Sequence, residues 1–92
     1  MASIRVNLII EGRVQGVWFR DSTRKKALSL GVFGYVKNRP DGTVKAVAEG
    51  PEDYVKEFVS WCHKGPPASH VTAVLESEEE WRGEFRSFEI VF

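Results

Sequence analysis

One cysteine in 92 residues cannot close an intramolecular disulfide, and no cluster of Cys and His has the spacing of a metal site. A reducing, cytoplasmic setting is the expectation, with Cys62 as a small buried hydrophobe and no metal. Net charge is absent too: thirteen basic and thirteen acidic side chains cancel, so no overall field gathers nucleic acid and any anion site must be local. Long apolar runs are missing. The opening MASIRVNLII is broken by Arg5 and Asn7, unlike a secretory leader or a membrane span. Repeats, low-complexity tracts and linker-like stretches are also lacking, and Gly65-Pro66-Pro67 reads as a connection inside one unit. Residues 1–92 are therefore expected to form one domain.

What is present is period. Ile4, Val6, Leu8 and Ile10 alternate with Arg5, Asn7, Ile9 and Glu11, which predicts a strand with one apolar face. Phe19, Thr23, Ala27 and Leu30 then recur at helical spacing, with Arg24, Lys25 and Lys26 outward and Gly31 at the end. VFGYVKN and TVKAVAEG flank Arg39-Pro40-Asp41-Gly42, which predicts a hairpin. A second helix starts at Pro51-Glu52-Asp53, carries Tyr54, Val55, Phe58, Val59 and Cys62 as its stripe, and closes at Lys64 and Gly65. Strands follow at residues 70–76, with Val71, Ala73 and Leu75 sharing a face, and at the tail, with Phe88, Ile90 and Phe92 sharing another. Glu78-Glu79-Glu80 between them reads as a solvated loop. The order predicts an α+β, ferredoxin-like sandwich, βαββαβ plus a short extra strand: a mainly antiparallel sheet with both helices on one face and the other face open.

RVQGVWFR, Arg13 to Arg20, joins the first strand to the first helix. It contains no proline, so every backbone N–H remains a donor, and Gly16 permits a turn. Amides converging on a helix start suit a phosphate-like anion, and an anion there would resolve the awkward placement of Arg20 at the positive end of a helix dipole. The plainer alternative is a bulge at Gly16 and an exposed first-turn arginine. Neither Gly-x-Gly-x-x-Gly nor a Gly-Lys-Ser/Thr ending is present, so nucleotide cofactors gain little support.

Acids and bases are scarce. His63 and His70 fall away from this loop, and Asp21 reads as a helix-start acid. A carboxylate leaving group, with a conjugate-acid pKa of roughly 4, would need no general acid. It would need a neutral polar group to orient a water, and Asn38 stands at the end of the hairpin's first strand, although asparagine beside Pro-Asp-Gly is also an ordinary turn residue.

GRVQGVWFR, GYVKN (34–38), DGTV (41–44) and EGPED (49–53) together resemble the acylphosphatase family, along essentially the full chain. That resemblance implies hydrolysis of the carboxyl-phosphate bond of small acyl phosphates to a carboxylate and inorganic phosphate, without metal or organic cofactor. It assigns phosphate binding to Arg20 with the backbone of Gln15, Gly16, Val17, Trp18 and Phe19, and water orientation to Asn38. Tyr35 stands where the family often has tryptophan, and Trp18 fills a variable loop position. A monomer is the expected state, with no nucleic-acid or membrane partner. Two alternatives are a non-catalytic RNA-binding module of the same strand-helix order, suggested by GVFGYV, and a phosphate- or carbamoyl-phosphate-binding domain. The first lacks the leading basic residue and places the motif on the wrong strand.

Overall fold

In the computed structural model, which describes residues 2–92, the chain runs β1 (Ser3–Arg13), α1 (Phe19–Leu30), β2 (Phe33–Asn38), β3 (Val44–Pro51), α2 (Glu52–Lys64), β4 (His70–Glu80) and β5 (Phe88–Val91). The strands lie in the order β4-β1-β3-β2-β5, with β5 parallel to β2 and every other pairing antiparallel. This is the expected ferredoxin-like sandwich. Ile4, Val6, Leu8 and Ile10 meet Val55, Phe58, Val59 and Cys62 of α2 and Phe19 and Ala27 of α1 in one core. Burial with no compensating donor pushes the Cys62 thiol well above its ordinary range, which keeps it protonated and inert. Helix α1 ends in a Schellman arrangement, the Val32 N–H donating to the Ala27 carbonyl at 3.0 Å.

The topology positions the site. β1 and β2 both run antiparallel to β3, and β5 runs parallel to β2, so the carboxyl ends of β1, β2 and β5 emerge at one end of the sheet. Val44 pairs with Ile10 on one side and Asn38 on the other. The chain leaving β1 is therefore about 10 Å from Asn38, two strand spacings.

Two expectations fail in β4. Glu78, Glu79 and Glu80 are not a loop: they pair with Val6, Arg5 and Ile4 of β1. Continuous backbone pairing outweighs the weak strand preference of glutamate, and Glu79 gains a cross-strand partner in Arg5, which is only 7% exposed. Val71, Ala73 and Leu75 do not share the core face either. A register shift at Glu11/Gly12 turns the alternation over, so Val71 and Val74 pack on the core while Leu75 is 56% exposed. Gly12 sits at this bulge with φ 124°, where a Cβ would run into the His70 carbonyl.

The second sheet face is left open only in part, with Leu75 56% exposed. The chain after β4 folds over one end of it, with Phe85 edge-on to Tyr35 at 5.9 Å and over the Arg5 guanidinium at 5.2 Å. Buried Glu49 holds this segment, accepting from the N–H groups of Arg82 (2.7 Å), Gly83 (3.1 Å) and Glu84 (3.1 Å). An RNA-binding surface of the type weighed above would need Tyr35 free for base stacking, and Phe85 occupies that place.

Candidate active site

The segment between β1 and α1 is pinned by its apolar side chains. Val14, Val17 and Phe19 are buried in the core, and Phe19 also packs on Trp61 with ring centroids 5.9 Å apart. Gly16 (φ 72°) and Trp18 (φ 64°) both take left-handed backbone, so the chain curls between those anchors instead of extending. Positive φ is ordinary for glycine but costs tryptophan about 1–2 kcal/mol. Trp18 also occupies the N-cap of α1, where it provides no capping hydrogen bond. Among the described residues, the backbone N–H groups of residues 15–21 have no intramolecular acceptor, and the first such bond of the helix is Ser22 N–H to the Trp18 carbonyl, 3.0 Å. Of this stretch, Gly16, Trp18, Phe19, Arg20 and Asp21 line a cleft of about 300 Å³, and Gln15 and Val17 do not.

Arg20 and Asn38 both line that cleft, together with Gly16 and Trp18. No carboxylate lies within ion-pair distance of Arg20 among the described residues; its guanidinium instead lies over the Phe92 ring, 5.0 Å from the centroid. Neighbouring Asp21 is drawn to Lys25 at 3.2 Å. Asn38 Oδ1 is buried with no hydrogen-bond partner in the protein. The turn beyond it closes without Asn38: Arg39 N–H donates to the Thr43 carbonyl (2.8 Å), Gly42 N–H to the Arg39 carbonyl (3.1 Å), and Asp41 Oδ1 accepts from Thr43 N–H (3.0 Å). The turn-forming role is thus filled by other residues, and Asn38, in the lining of the cleft, keeps a buried acceptor that costs about 1–3 kcal/mol to leave unpaired.

The loop residues divide by orientation. The Val17 and Phe19 side chains are buried, whereas Trp18 is 79% exposed; Trp18 and Phe19 line the cleft and Val17 does not. Gln15 has a side-chain role that the motif alone does not disclose: its Nε2 donates to the carbonyls of Arg39 (2.8 Å) and Thr43 (2.9 Å), tying the loop to the turn beyond Asn38. Both partners are acceptors, so only a donor serves. Gln15→Ala and Gln15→Glu are expected to lower kcat/KM equally, by about 10²-fold, as the loop and Asn38 lose their relative placement. Steady-state kinetics on both variants checks this; recovery in Gln15→Glu would show that the donor is not what matters.

Two cleft residues carry no signal in the loop motif. Ile90 and Phe92 reach it from the end of β5. Their alternation with Phe88 is correct, but only Phe88 is buried; Phe92, beyond the last paired residue, is 97% exposed. Neither histidine lines the cleft, and no group of three metal-ligating side chains occurs among the described residues. No helix among those residues is long and apolar enough to cross a membrane.

Backbone N–H groups without acceptors, an arginine and an unpaired amide oxygen meet at one cleft among the described residues, chemistry that suits an anionic ligand. The family profile for Acylphosphatase matches residues 6–90. The acylphosphatase of Pelotomaculum thermopropionicum is 46% identical over 92 residues, covering all of both chains, and that of Thiobacillus denitrificans 54% over 84 residues, covering 91% of this chain and 92% of its own. The crystal structure of acylphosphatase from Bacillus subtilis superposes with a TM-score of 0.93 at 38% identity, covering 97% of this chain and 99% of that one. The chain belongs to the acylphosphatase family and is an acyl phosphate hydrolase.

Proposed function

We propose that Arg20 and the backbone N–H groups of Gln15 to Arg20 hold the phosphoryl group of a small acyl phosphate while Asn38 orients the attacking water. The observation that carries this reading is the buried, partnerless Oδ1 of Asn38 in the same cleft as Arg20. An amide oxygen can accept one proton of a water and leave a lone pair directed at phosphorus. The planar guanidinium and the amides neutralise charge on the phosphoryl oxygens, and the helix dipole adds to both. The water oxygen bonds to phosphorus as the bond from phosphorus to the carboxylate oxygen breaks. The electron pair of that bond leaves on a carboxylate, and the water's proton passes to a phosphate oxygen.

No step in this scheme needs a general acid, a metal or an organic cofactor, because the leaving carboxylic acid has a pKa of roughly 4. We further propose that residues 1–92 act as one unit, as a monomer in the cytoplasm, releasing inorganic phosphate; the balanced charge supports the absence of a nucleic-acid partner. Hydrolysis of acetyl phosphate in excess chelator tests the scheme. The parent is expected to retain full activity, and Asn38→Ala to lose about 10²- to 10³-fold in kcat with little change in the inhibition constant for inorganic phosphate. Activity lost on chelation, or retained in Asn38→Ala, would overturn it.

A further inference from the structure

The end of the sheet away from the cleft holds a second cavity, of about 250 Å³, where β1 and β2 begin and β3 ends. Three aromatic residues line it, Phe33, Trp81 and Phe85. Phe33 and Trp81 are exposed, so burial in the core does not account for them. The Trp81 ring is seated on Gly83, where an added Cβ would meet it at 2.6 Å. Glu49 stands among these rings, and among the described residues no cationic side chain lines the cavity. Isolated exposed aromatics are ordinary; two beside a third ring and a buried carboxylate are not.

We infer that this cavity binds a small organic cation, a quaternary ammonium group held against the aromatic rings with Glu49 supplying the counter-charge. Three features point the same way. Ring faces attract cations, and rings grouped around one site suit alkylated ammonium groups; Phe85 already works in this manner on the Arg5 guanidinium, 5.2 Å away. Arg5 and Arg82 answer three carboxylates, Glu49, Glu79 and Glu84, which leaves one negative charge in excess beside the cavity. Helix α1 ends at Gly31, another lining residue, with no basic side chain in its last turn, so the negative end of its dipole meets the cavity unanswered. An anion would be repelled by all three. The choice of a quaternary over a primary ammonium follows from Glu49 itself. Its two oxygens already accept from Arg5 and from the N–H groups of Arg82, Gly83 and Glu84, which fills the roughly four acceptor positions of a carboxylate. A cation that brings N–H donors would find no free lone pair there, whereas one that brings only charge and methyl groups needs none. The cavity is smaller than the roughly 300–1,000 Å³ of sites for drug-sized ligands, so it suits a single head group.

NMR titration of the isotope-labelled protein with tetramethylammonium chloride, compared with methylammonium chloride at equal ionic strength, tests the site. Saturable shifts are expected at the Gly31 and Gly83 amides and the Trp81 indole N–H, with Kd about millimolar for tetramethylammonium and several-fold weaker for methylammonium. Phe33→Leu and Trp81→Leu keep an apolar side chain but remove a π face, and each should weaken binding several-fold. Both positions are exposed and lie at the end of the sheet opposite Arg20, so thermal midpoints and acetyl phosphate hydrolysis should match the parent's. Choline and its neutral carbon isostere, 3,3-dimethylbutan-1-ol, isolate the charge, and the alcohol is expected to bind about tenfold more weakly or worse. A peptide bearing one trimethyllysine separates the possible sources: binding tighter than choline's assigns a side-chain cation, and equal or weaker binding a free one. Absence of saturable shifts in the parent, equal binding of choline and the alcohol, or unchanged affinity in both variants overturns the site.

Discussion

Arg20→Ala is expected to reduce kcat/KM for acyl phosphates by about 10³-fold or more while leaving the fold as stable as the parent. The catalytic loss follows from removing the only cationic side chain that lines the cleft among the described residues. Single preorganised donors at developing oxyanions are worth about 10²- to 10³-fold, and a guanidinium engaging two phosphoryl oxygens exceeds one donor. Because the phosphoryl group is already charged in the ground state, the loss divides between KM and kcat, and the inhibition constant for inorganic phosphate rises as well. That separates Arg20 from Asn38, whose effect falls on kcat. Stability moves the other way. Among the described residues Arg20 forms no ion pair, and it stands in the first turn of α1, where the helix dipole disfavours a cation by about 0.3–1 kcal/mol. Thermal unfolding of Arg20→Ala should show a midpoint equal to or slightly above the parent's. Arg20→Lys restores charge but not the planar fork, and should remain about 10²-fold impaired. Parent-like kinetics in Arg20→Ala would remove the arginine from the phosphate site.

Local period and turn chemistry go far in this chain because its elements obey them. The alternation of Ile4 to Ile10 and the stripe Phe19-Thr23-Ala27 both translate into buried faces. The turn within residues 13–20 is legible for a related reason: one glycine and no proline act on the backbone, which curls at Gly16 with φ 72°. Properties that depend on distant partners are not legible. Asn38 beside Pro40-Asp41-Gly42 looks like a turn residue until Asp41 and Thr43 are seen to close that turn themselves. Phe92 continues the alternation of Phe88 and Ile90, yet period predicts a face and not whether anything covers it. Glu78 and Glu80 are exposed as the sequence suggests, but the run is strand and not loop, and the partner of Glu79, Arg5, lies at the opposite end of the chain.

The same distant pairing sets the largest stability effect. Glu49→Ala is expected to destabilise the protein by about 3–5 kcal/mol, because it leaves the Arg5 guanidinium buried beside partly exposed Glu79 and Glu84 alone and strips three backbone N–H groups of their acceptor. For a domain of this size that is roughly 15–30 °C in Tm. Burial alone would raise the Glu49 pKa, but the N–H groups of Arg82, Glu84 and Gly83 together with Arg5 outweigh it and hold the carboxyl below its ordinary 4.5. The folded-state value is depressed, so the stabilisation is fully present above the unfolded value and disappears as pH falls through the folded one. Parent and variant should therefore be furthest apart near neutrality, and the gap should narrow as pH falls through the folded-state value, which lies below 4.5. Replacing both charges, Arg5→Met with Glu49→Leu, removes the stranded cation and should recover part of the loss, although the N–H groups of residues 82–84 still lack their acceptor. Denaturant unfolding of the parent, Arg5→Met, Glu49→Leu and the double variant at pH 7 measures the coupling as the departure from additivity. Additive losses would show that Glu49 acts through those three N–H groups and not through the buried cation.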